Sequence, residues 1–460
     1  VYISRYKLSK YNRFIKTENC TFIYNSLSGG FCELPNQIYK KLSLVNSYFE
    51  KKDFGADTEF EELYDGGMII DSNDEEDVKL HAIHNLSRFS NSNSLTLTIA
   101  PTLGCNCRCT YCFEQDNEYP NEFMNEATIN RIVSYVKDNL RKDGSLSVCW
   151  FGGEPLLKID LIQQFYNLLS PFISDNNISI YSSIITNGVL LTEKNLKILK
   201  TCDVRSIQIT LDGFRDTHDQ LRPLVNGKGT YLSIIQNLEN ITNDFDVAIR
   251  INITKENYKN IDKLFDDMIS RQLNNCDYIQ FYFAHVRNPD IQENADKYFS
   301  VKEYAEIEVE LYKLAINKNI NIGLDIRCMF NSCGALSPYS MTIEPNGSIQ
   351  RCYNNLGIKN ESVGNILYEK QTSNEELNNN LWMGWSYLQF KECLDCEVLP
   401  LCMAGCPYYS ISKKNKSEYI KSDYRCSPLK YNLDEILKIL VLKSQKGVPD
   451  AMDTKARGTN

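Results

Sequence analysis

The run Cys105-Asn106-Cys107-Arg108-Cys109-Thr110-Tyr111-Cys112 sets Cys105, Cys109 and Cys112 at C-x3-C-x2-C spacing on one tight loop, directly after the strand-like stretch Ser94–Ala100. Thiolate is the soft ligand that iron–sulfur clusters prefer. Three thiolates on a [4Fe–4S] cube leave one iron without a protein ligand, and an open coordination position is where a metal site does chemistry. Cys107 falls off that spacing and reads as a packed thiol, while keeping an alternative ligand set open. Taken alone, the three cysteines also admit a structural zinc site or plain buried thiols.

The strand ends that follow carry polar chemistry. Phe151-Gly152-Gly153-Glu154-Pro155 closes a second strand with two glycines, which let backbone approach a ligand closely, and one carboxylate. Gln208, Thr210 and Asp212 alternate with Ile207, Ile209 and Leu211, as Arg250, Asn252 and Thr254 do with Ile249, Ile251 and Ile253. Polar side chains facing into a closed apolar core are costly, so a polar inner face implies a liganded cavity.

The cysteine loop and the Gly-Gly-Glu stretch resemble the radical S-adenosylmethionine (SAM) enzymes. The resemblance implies that Cys105, Cys109 and Cys112 hold a cluster whose open iron SAM chelates. Reductive cleavage of SAM then yields a 5′-deoxyadenosyl radical that takes a hydrogen atom from the substrate. It further implies that Tyr111 lies against the adenine and that Gly152, Gly153 and Glu154 receive the SAM ammonium. Asn187, in Thr186-Asn187-Gly188, would reach the ribose or methionyl end, and Thr210 would line the same pocket. Arg250 is a candidate contact for a SAM carboxylate or substrate, with an ordinary structural salt bridge as the alternative. Asp212, His218, Asp219, Arg222 and the run Gly227–Thr230 resemble a segment of members with C-terminal extensions, with a structural role first.

The elements that must position these residues alternate from about residue 94 to 320, which argues for parallel βαβ units. Strands are expected at Ser145–Phe151, Ile178–Thr186, Ser206–Leu211, Val247–Thr254 and Tyr278–Phe283, and a helix at Glu126–Leu140 with Ile129, Ile132, Val133, Val136 and Leu140 on one stripe. With the strand before the loop this makes six units. The expected fold is α/β, a partial (β/α)6 TIM barrel with its site at the C-terminal strand ends.

Beyond it, Cys328, Cys333, Cys352, Cys393, Cys396, Cys402, Cys406 and Cys426 follow the spacing C-x13-G-x4-C, C-x2-C-x5-C-x3-C and a last C from Cys333 onward, with Gly347 as the glycine. This resembles the SPASM extension of peptide-modifying radical SAM enzymes. By that resemblance Cys328, Cys333, Cys352 and Cys406 hold one auxiliary [4Fe–4S] cluster and Cys393, Cys396, Cys402 and Cys426 a second, giving three clusters in all. A pair of zinc ribbons is the rival physical reading. Cys20, Cys32, Cys149, Cys202 and Cys276 read as buried apolar thiols.

Ahead of the barrel, strands at Arg13–Thr17, Cys20–Asn25 and Phe31–Pro35 and helices from Asn36 (Ile38, Leu42 and Leu44 inward), at Glu59–Tyr64 and at Asp74–Leu86 resemble the winged-helix-like domain that holds a leader peptide by strand addition. A cap that only packs on the core is the alternative. The expected domains are 1–92 for peptide recognition, 93–320 for the radical SAM barrel, 321–432 for the SPASM domain and 433–460 for a helix and disordered tail. The 460 residues carry a net charge of −9 with dispersed basic residues, which excludes a nucleic-acid footprint. No signal-peptide pattern opens the chain and no run approaches the about 18 apolar residues of a membrane span, so cytoplasmic location and no membrane partner are expected.

The function these resemblances imply is a radical SAM/SPASM maturase that installs a thioether, cysteine sulfur to carbon, in a ribosomally made precursor peptide. Its electrons would come from a low-potential donor, flavodoxin or ferredoxin. A carbon–carbon (cyclophane) maturase would use the same residues. An anaerobic sulfatase-maturating enzyme would carry aspartate where Tyr353 stands. A non-catalytic metal-binding scaffold would need no Gly-Gly-Glu stretch.

Overall fold

A computed structural model describes residues 5–18, 20–45, 47–53, 57–116, 122–287, 297–324, 326, 333–411 and 423–445. Cys328 and the tail from 446 lie outside the described residues.

The N-terminal region opens with β1 (Tyr6–Leu8), β2 (Asn12–Lys16), β3 (Thr21–Asn25), β4 (Phe31–Leu34) and, after two helices, β5 (Ile69–Asp71). β2, β3 and β4 form an antiparallel sheet, and β1 pairs with β5. Helices Asn36–Ser43, Asp57–Asp65 and Glu76–Phe89 accompany them. Ile23, Leu34, Ile38, Leu42, Phe60, Leu63 and Met68 share one core. Leu44, expected inward, is 79% exposed because it caps the helix end instead of continuing its apolar stripe.

The central sheet is built from β6 (Ser94–Ile99), β7 (Ser145–Trp150), β8 (Ser179–Thr186), β9 (Val204–Thr210), β10 (Asp246–Ile253) and β11 (Ile279–His285). They lie in chain order, all parallel, with helices in the connections. Strand sequences rich in Ile and Val bury one face: Val247, Ile249, Ile251 and Ile253 are all buried, and parallel strands with helices outside need that. Helix Glu126–Asn139 buries Ile129, Ile132, Val133 and Val136, and its Asn125 cap accepts from the Thr128 amide.

The chain then returns to the opposite edge. β12 (Ser340–Ile343) pairs in parallel with β6, and β13 (Ser348–Gln350) and β14 (Gly364–Asn365) continue antiparallel, so among the described residues the sheet reaches nine strands. Helix Leu429–Gln445 packs on helix Val301–Asn317. Arg13 ties β2 to it through Asp434 at 2.7 Å and also pairs with Glu397. Among the five cysteines expected to be buried, only Cys202 is; Cys20, Cys32, Cys149 and Cys276 are half-buried, Cys32 and Cys149 within β4 and β7. No helix among the described residues is long and apolar enough to cross a membrane.

Candidate active site

The loop bearing Cys105, Cys109 and Cys112 follows β6 and is held from outside by a segment 110 residues downstream. The Thr110, Arg108 and Val225 amides bond to the Leu221, Pro223 and Asn106 carbonyls at 2.9, 2.7 and 2.9 Å, a short two-stranded clamp between the cysteine loop and residues 221–225. Cys107 lies in that clamp as the bridge partner of Leu224, 4% exposed, which suits a packed thiol. The Cys105 sulfur accepts instead, from the Cys107 amide at 3.4 Å and Asn187 Nδ2 at 3.7 Å. Its thiol is drawn down to about 6, first by the Cys107 side chain, while Cys107 is raised. Burial, then Glu114 and the other two thiols, pushes Cys112 up to about 12; burial raises Cys109 as well.

Gly152 and Gly153 press against this loop. A Cβ on Gly152, at φ +104°, would lie 2.4 Å from the Thr102 carbonyl oxygen, and one on Gly153 would lie 2.3 Å from that of Gly104. The Gly153 and Glu154 amides donate to those same two carbonyls at 3.1 and 3.0 Å. The glycines therefore make room first for the cysteine loop, a closeness the sequence reading gave to a ligand. Glu154 is fully buried. Its carboxylate accepts from the amides of Leu156 (3.0 Å) and Asn187 (2.8 Å) and from Thr186 Oγ1 (2.8 and 3.0 Å), fastening the ends of β7 and β8 together. Burial raises it to about 7 against these donors. Asn187 donates to Asn106 Oδ1 at 2.7 Å, so both strand ends grip the loop.

At the ends of β9 and β10 a buried network fixes Tyr111. Its hydroxyl bonds to Asp212 and accepts from Arg222 Nη1 at 2.7 Å and Asn252 Nδ2 at 3.1 Å. Arg222 and Asp212 stand 3.6 Å apart, and His218 Nδ1 accepts from the Asp212 amide. Asp219 accepts from the Thr230 and Tyr231 amides, starting the next helix. Thr210 is buried and lies beside Arg250 in register. Arg250 Nε donates to Asn252 Oδ1 at 2.8 Å; among the described residues it makes no ion pair, so the salt-bridge alternative is not what the structure displays.

One feature had no motif to announce it. Phe113, just past Cys112, stacks on Phe151 at 6.5 Å, and Phe151 meets Tyr353, just past Cys352, at 5.3 Å. Phe113 and Tyr353 are 42% and 49% exposed, so this row offers ring faces at the strand ends.

The C-terminal thiols fall into two groups. Cys352 is raised by burial and then by Cys406 and Cys333. Cys402 is pushed up to about 12 by burial and then by Cys396, Cys393 and Cys426. Cys402 and Cys406 reach different groups because Met403, Ala404 and Gly405, at φ 47°, 63° and 82°, turn the chain sharply between them. Among the described residues no three Cys, His, Asp or Glu side chains are already closed around one ion-sized point. Neutral buried thiols do not draw together; cations that deprotonate them would supply the pull. The all-sulfur donor sets, three thiols on the loop after β6 and four around Cys402, fit iron–sulfur clusters in their chemistry.

Residues 99–268 match the family described as the radical SAM superfamily. The radical SAM cyclopropyl synthase TigE of Paramaledivibacter caminithermalis is 24% identical over 450 residues, covering 87% of this chain and 89% of that protein. A cysteine-type anaerobic sulfatase-maturating enzyme of Clostridium novyi is 26% identical, covering 68% of this chain and 88% of that protein. The solved structure of anSMEcpe with bound AdoMet and the Cp18Cys peptide has a TM-score of 0.58 at 20% identity, covering 76% of this chain and 99% of that one, a likeness of fold.

Proposed function

We infer, from the radical SAM domain at residues 99–268, that the chain is a peptide maturase, and we propose thioether formation between a cysteine sulfur and a carbon of a ribosomally made precursor as its reaction. The observation that carries this is the aromatic row Phe113–Phe151–Tyr353, which spans from the three-thiol loop to Cys352 and lets one peptide segment lie against both.

In this reading Cys105, Cys109 and Cys112 hold a [4Fe–4S] cluster, and the Gly152–Gly153 backbone, Asn187, Thr210, Tyr111 and Arg250 hold SAM. Once bound, the cluster and SAM would supply a carbon-centred radical able to take one hydrogen atom from a substrate carbon. Glu154 acts by position, its oxygens already engaged with Thr186, Asn187 and Leu156. Arg250 Nη atoms offer a charge-assisted fork to a carboxylate of SAM or peptide. The substrate gives up a hydrogen atom from carbon and a proton from sulfur, gains the C–S bond and releases one electron. Cys333, Cys352 and Cys406, with Cys328, and the four thiols around Cys402 would hold the clusters that take it. The open edge of β4 suits strand addition by a leader, and a flavodoxin or ferredoxin would supply electrons.

Two other reactions have support of their own. The extensive similarity to a cyclopropyl synthase favours carbon–carbon bond formation. The sulfatase-maturating relative favours oxidation of a single cysteine, although Tyr353 stands where that family places aspartate. One experiment separates them: anaerobically reconstituted protein is incubated with SAM, dithionite and a cysteine-containing precursor, then the peptide is alkylated and weighed. Loss of two hydrogens with a thiol that no longer alkylates supports the thioether. The same loss with the thiol intact means a carbon–carbon bond, and loss of two hydrogens together with exchange of sulfur for oxygen means sulfatase-type maturation.

A further inference from the structure

Away from the barrel end, one buried cation is aimed at sulfur. Arg425 is 3% exposed; its Nη1 donates to Cys393 Sγ at 3.2 Å and to the Ala404 carbonyl at 3.1 Å. Nη2 pairs with Glu392, and the guanidinium lies 3.9 Å from the Phe390 ring centroid. The backbone of Arg425 is equally committed. Its carbonyl accepts from the Cys406 amide at 3.3 Å and would stand 1.8 Å from a Cβ on Gly405.

A neutral thiol is a poor acceptor, and burying a guanidinium is costly unless anions surround it. Glu392 is 64% exposed at its side chain and balances the charge only through a solvent-screened contact. Arg425 is therefore matched to a sulfur that carries negative charge when the site is filled. We propose that Arg425 is a positioning residue that sets the reduction potential of the cluster held by Cys393, Cys396, Cys402 and Cys426. The inference rests on the reading that those four thiols hold a [4Fe–4S] cluster.

Reduction adds one negative charge to an already anionic group. A fixed positive charge donating to a ligand sulfur favours the reduced form, because hydrogen bonds and net charge around the sulfurs set the potential. Glu392, on the far side of the guanidinium, acts in the opposite sense. Guanidinium stays charged at every accessible pH, so the setting is independent of proton uptake at this residue.

The test is an anaerobic redox titration of the reconstituted full chain followed by electron paramagnetic resonance, with iron counted in each sample, for wild type, Arg425→Gln, Arg425→Lys and Glu392→Gln. With iron retained, Arg425→Gln is expected to lower the reduced-to-oxidised ratio at the wild-type midpoint about tenfold, which is about 59 mV for one electron. Arg425→Lys should shift it less, and Glu392→Gln should raise it. Unmoved midpoints, or shifts of the same sign in Arg425→Gln and Glu392→Gln, overturn the proposal. Should Arg425→Gln shed iron, Glu392→Gln decides: a raised midpoint supports the proposal and an unmoved one overturns it. Zinc in place of iron in the wild type would instead overturn the cluster reading beneath it.

Discussion

Gly153 and Arg250 differ in what surrounds them: Gly153 presses on the backbone of the cysteine loop, while Arg250 bonds to Asn252 and makes no ion pair among the described residues. An alanine at 153 would put a methyl 2.3 Å from the Gly104 oxygen, and the atoms it meets are all backbone, with nothing flexible to yield. Gly153→Ala is therefore expected to displace the cysteine loop and to lose about four irons, one [4Fe–4S] cluster, on reconstitution; full iron with normal SAM cleavage would contradict it. Arg250 has no ion pair to lose among the described residues but donates one hydrogen bond to Asn252, so Arg250→Ala should lower unfolding free energy by about 1 kcal/mol. Ligand affinity should suffer more. Losing a charge-assisted contact of about 1.5–3 kcal/mol weakens SAM or peptide roughly tenfold to a hundredfold, measured by equilibrium binding. Both roles were half legible in the sequence. Alternation along the β10 segment placed Arg250 on the polar face, but no pattern tells a glycine near a ligand from one near a neighbouring loop.

The six parallel strands were readable because each is a short run rich in apolar and β-branched residues set between helical stretches, and their boundaries moved by two residues or fewer. β12 was not readable, since nothing in Ser340–Ile343 says that its partner is β6, some 240 residues earlier. β1 and β5, of three residues each, are too short to show a period. The seam between helix Glu76–Phe89 and the C-terminal region was invisible for the same reason. There His84, 1% exposed, lies edge-on to Tyr387 at 5.3 Å and near Trp385, and Arg88 donates to the Leu336, Met383 and Trp385 carbonyls. Burial, then Arg88 and His81, hold the His84 imidazole down to about 4. Between its ordinary value of about 6.5 and that depressed one, the unfolded chain binds a proton that the folded chain refuses. Stability at this seam is thus complete above about pH 6.5 and declines as pH falls through that window. His84→Phe keeps the ring packing and removes the proton, so the drop in melting temperature between pH 7.5 and pH 5 should shrink. An equal drop in wild type and variant would place the acid sensitivity elsewhere.

Across the whole molecule, the proposed cluster ligands would cross-link parts of the chain that the sheet already brings together. Cys333 and Cys352 flank β12 and β13 against the barrel, while Cys406 joins them from the far side of the tight turn at Met403–Gly405. The same turn sends Cys402 back to Cys393, Cys396 and Cys426. The spacing of the cysteines could be read from sequence; the reason Cys402 and Cys406, four residues apart, face different thiols could not, because it lies in three successive left-handed residues and in the Arg425 carbonyl packed under Gly405. Gly405 is consequently the point where both auxiliary groups share one backbone constraint. A Cβ there would need to move the Arg425 backbone, and with it Cys426 on one side and Cys406 on the other. Gly405→Ala is expected to lose about eight of about twelve irons and to lower the melting temperature, since cluster binding energy is folding energy. Cys112→Ala should lose about four irons and leave the C-terminal region's stability intact. If Gly405→Ala lost only one group's iron, the two groups would be mechanically independent, and the turn would be a local device instead of the joint that couples them.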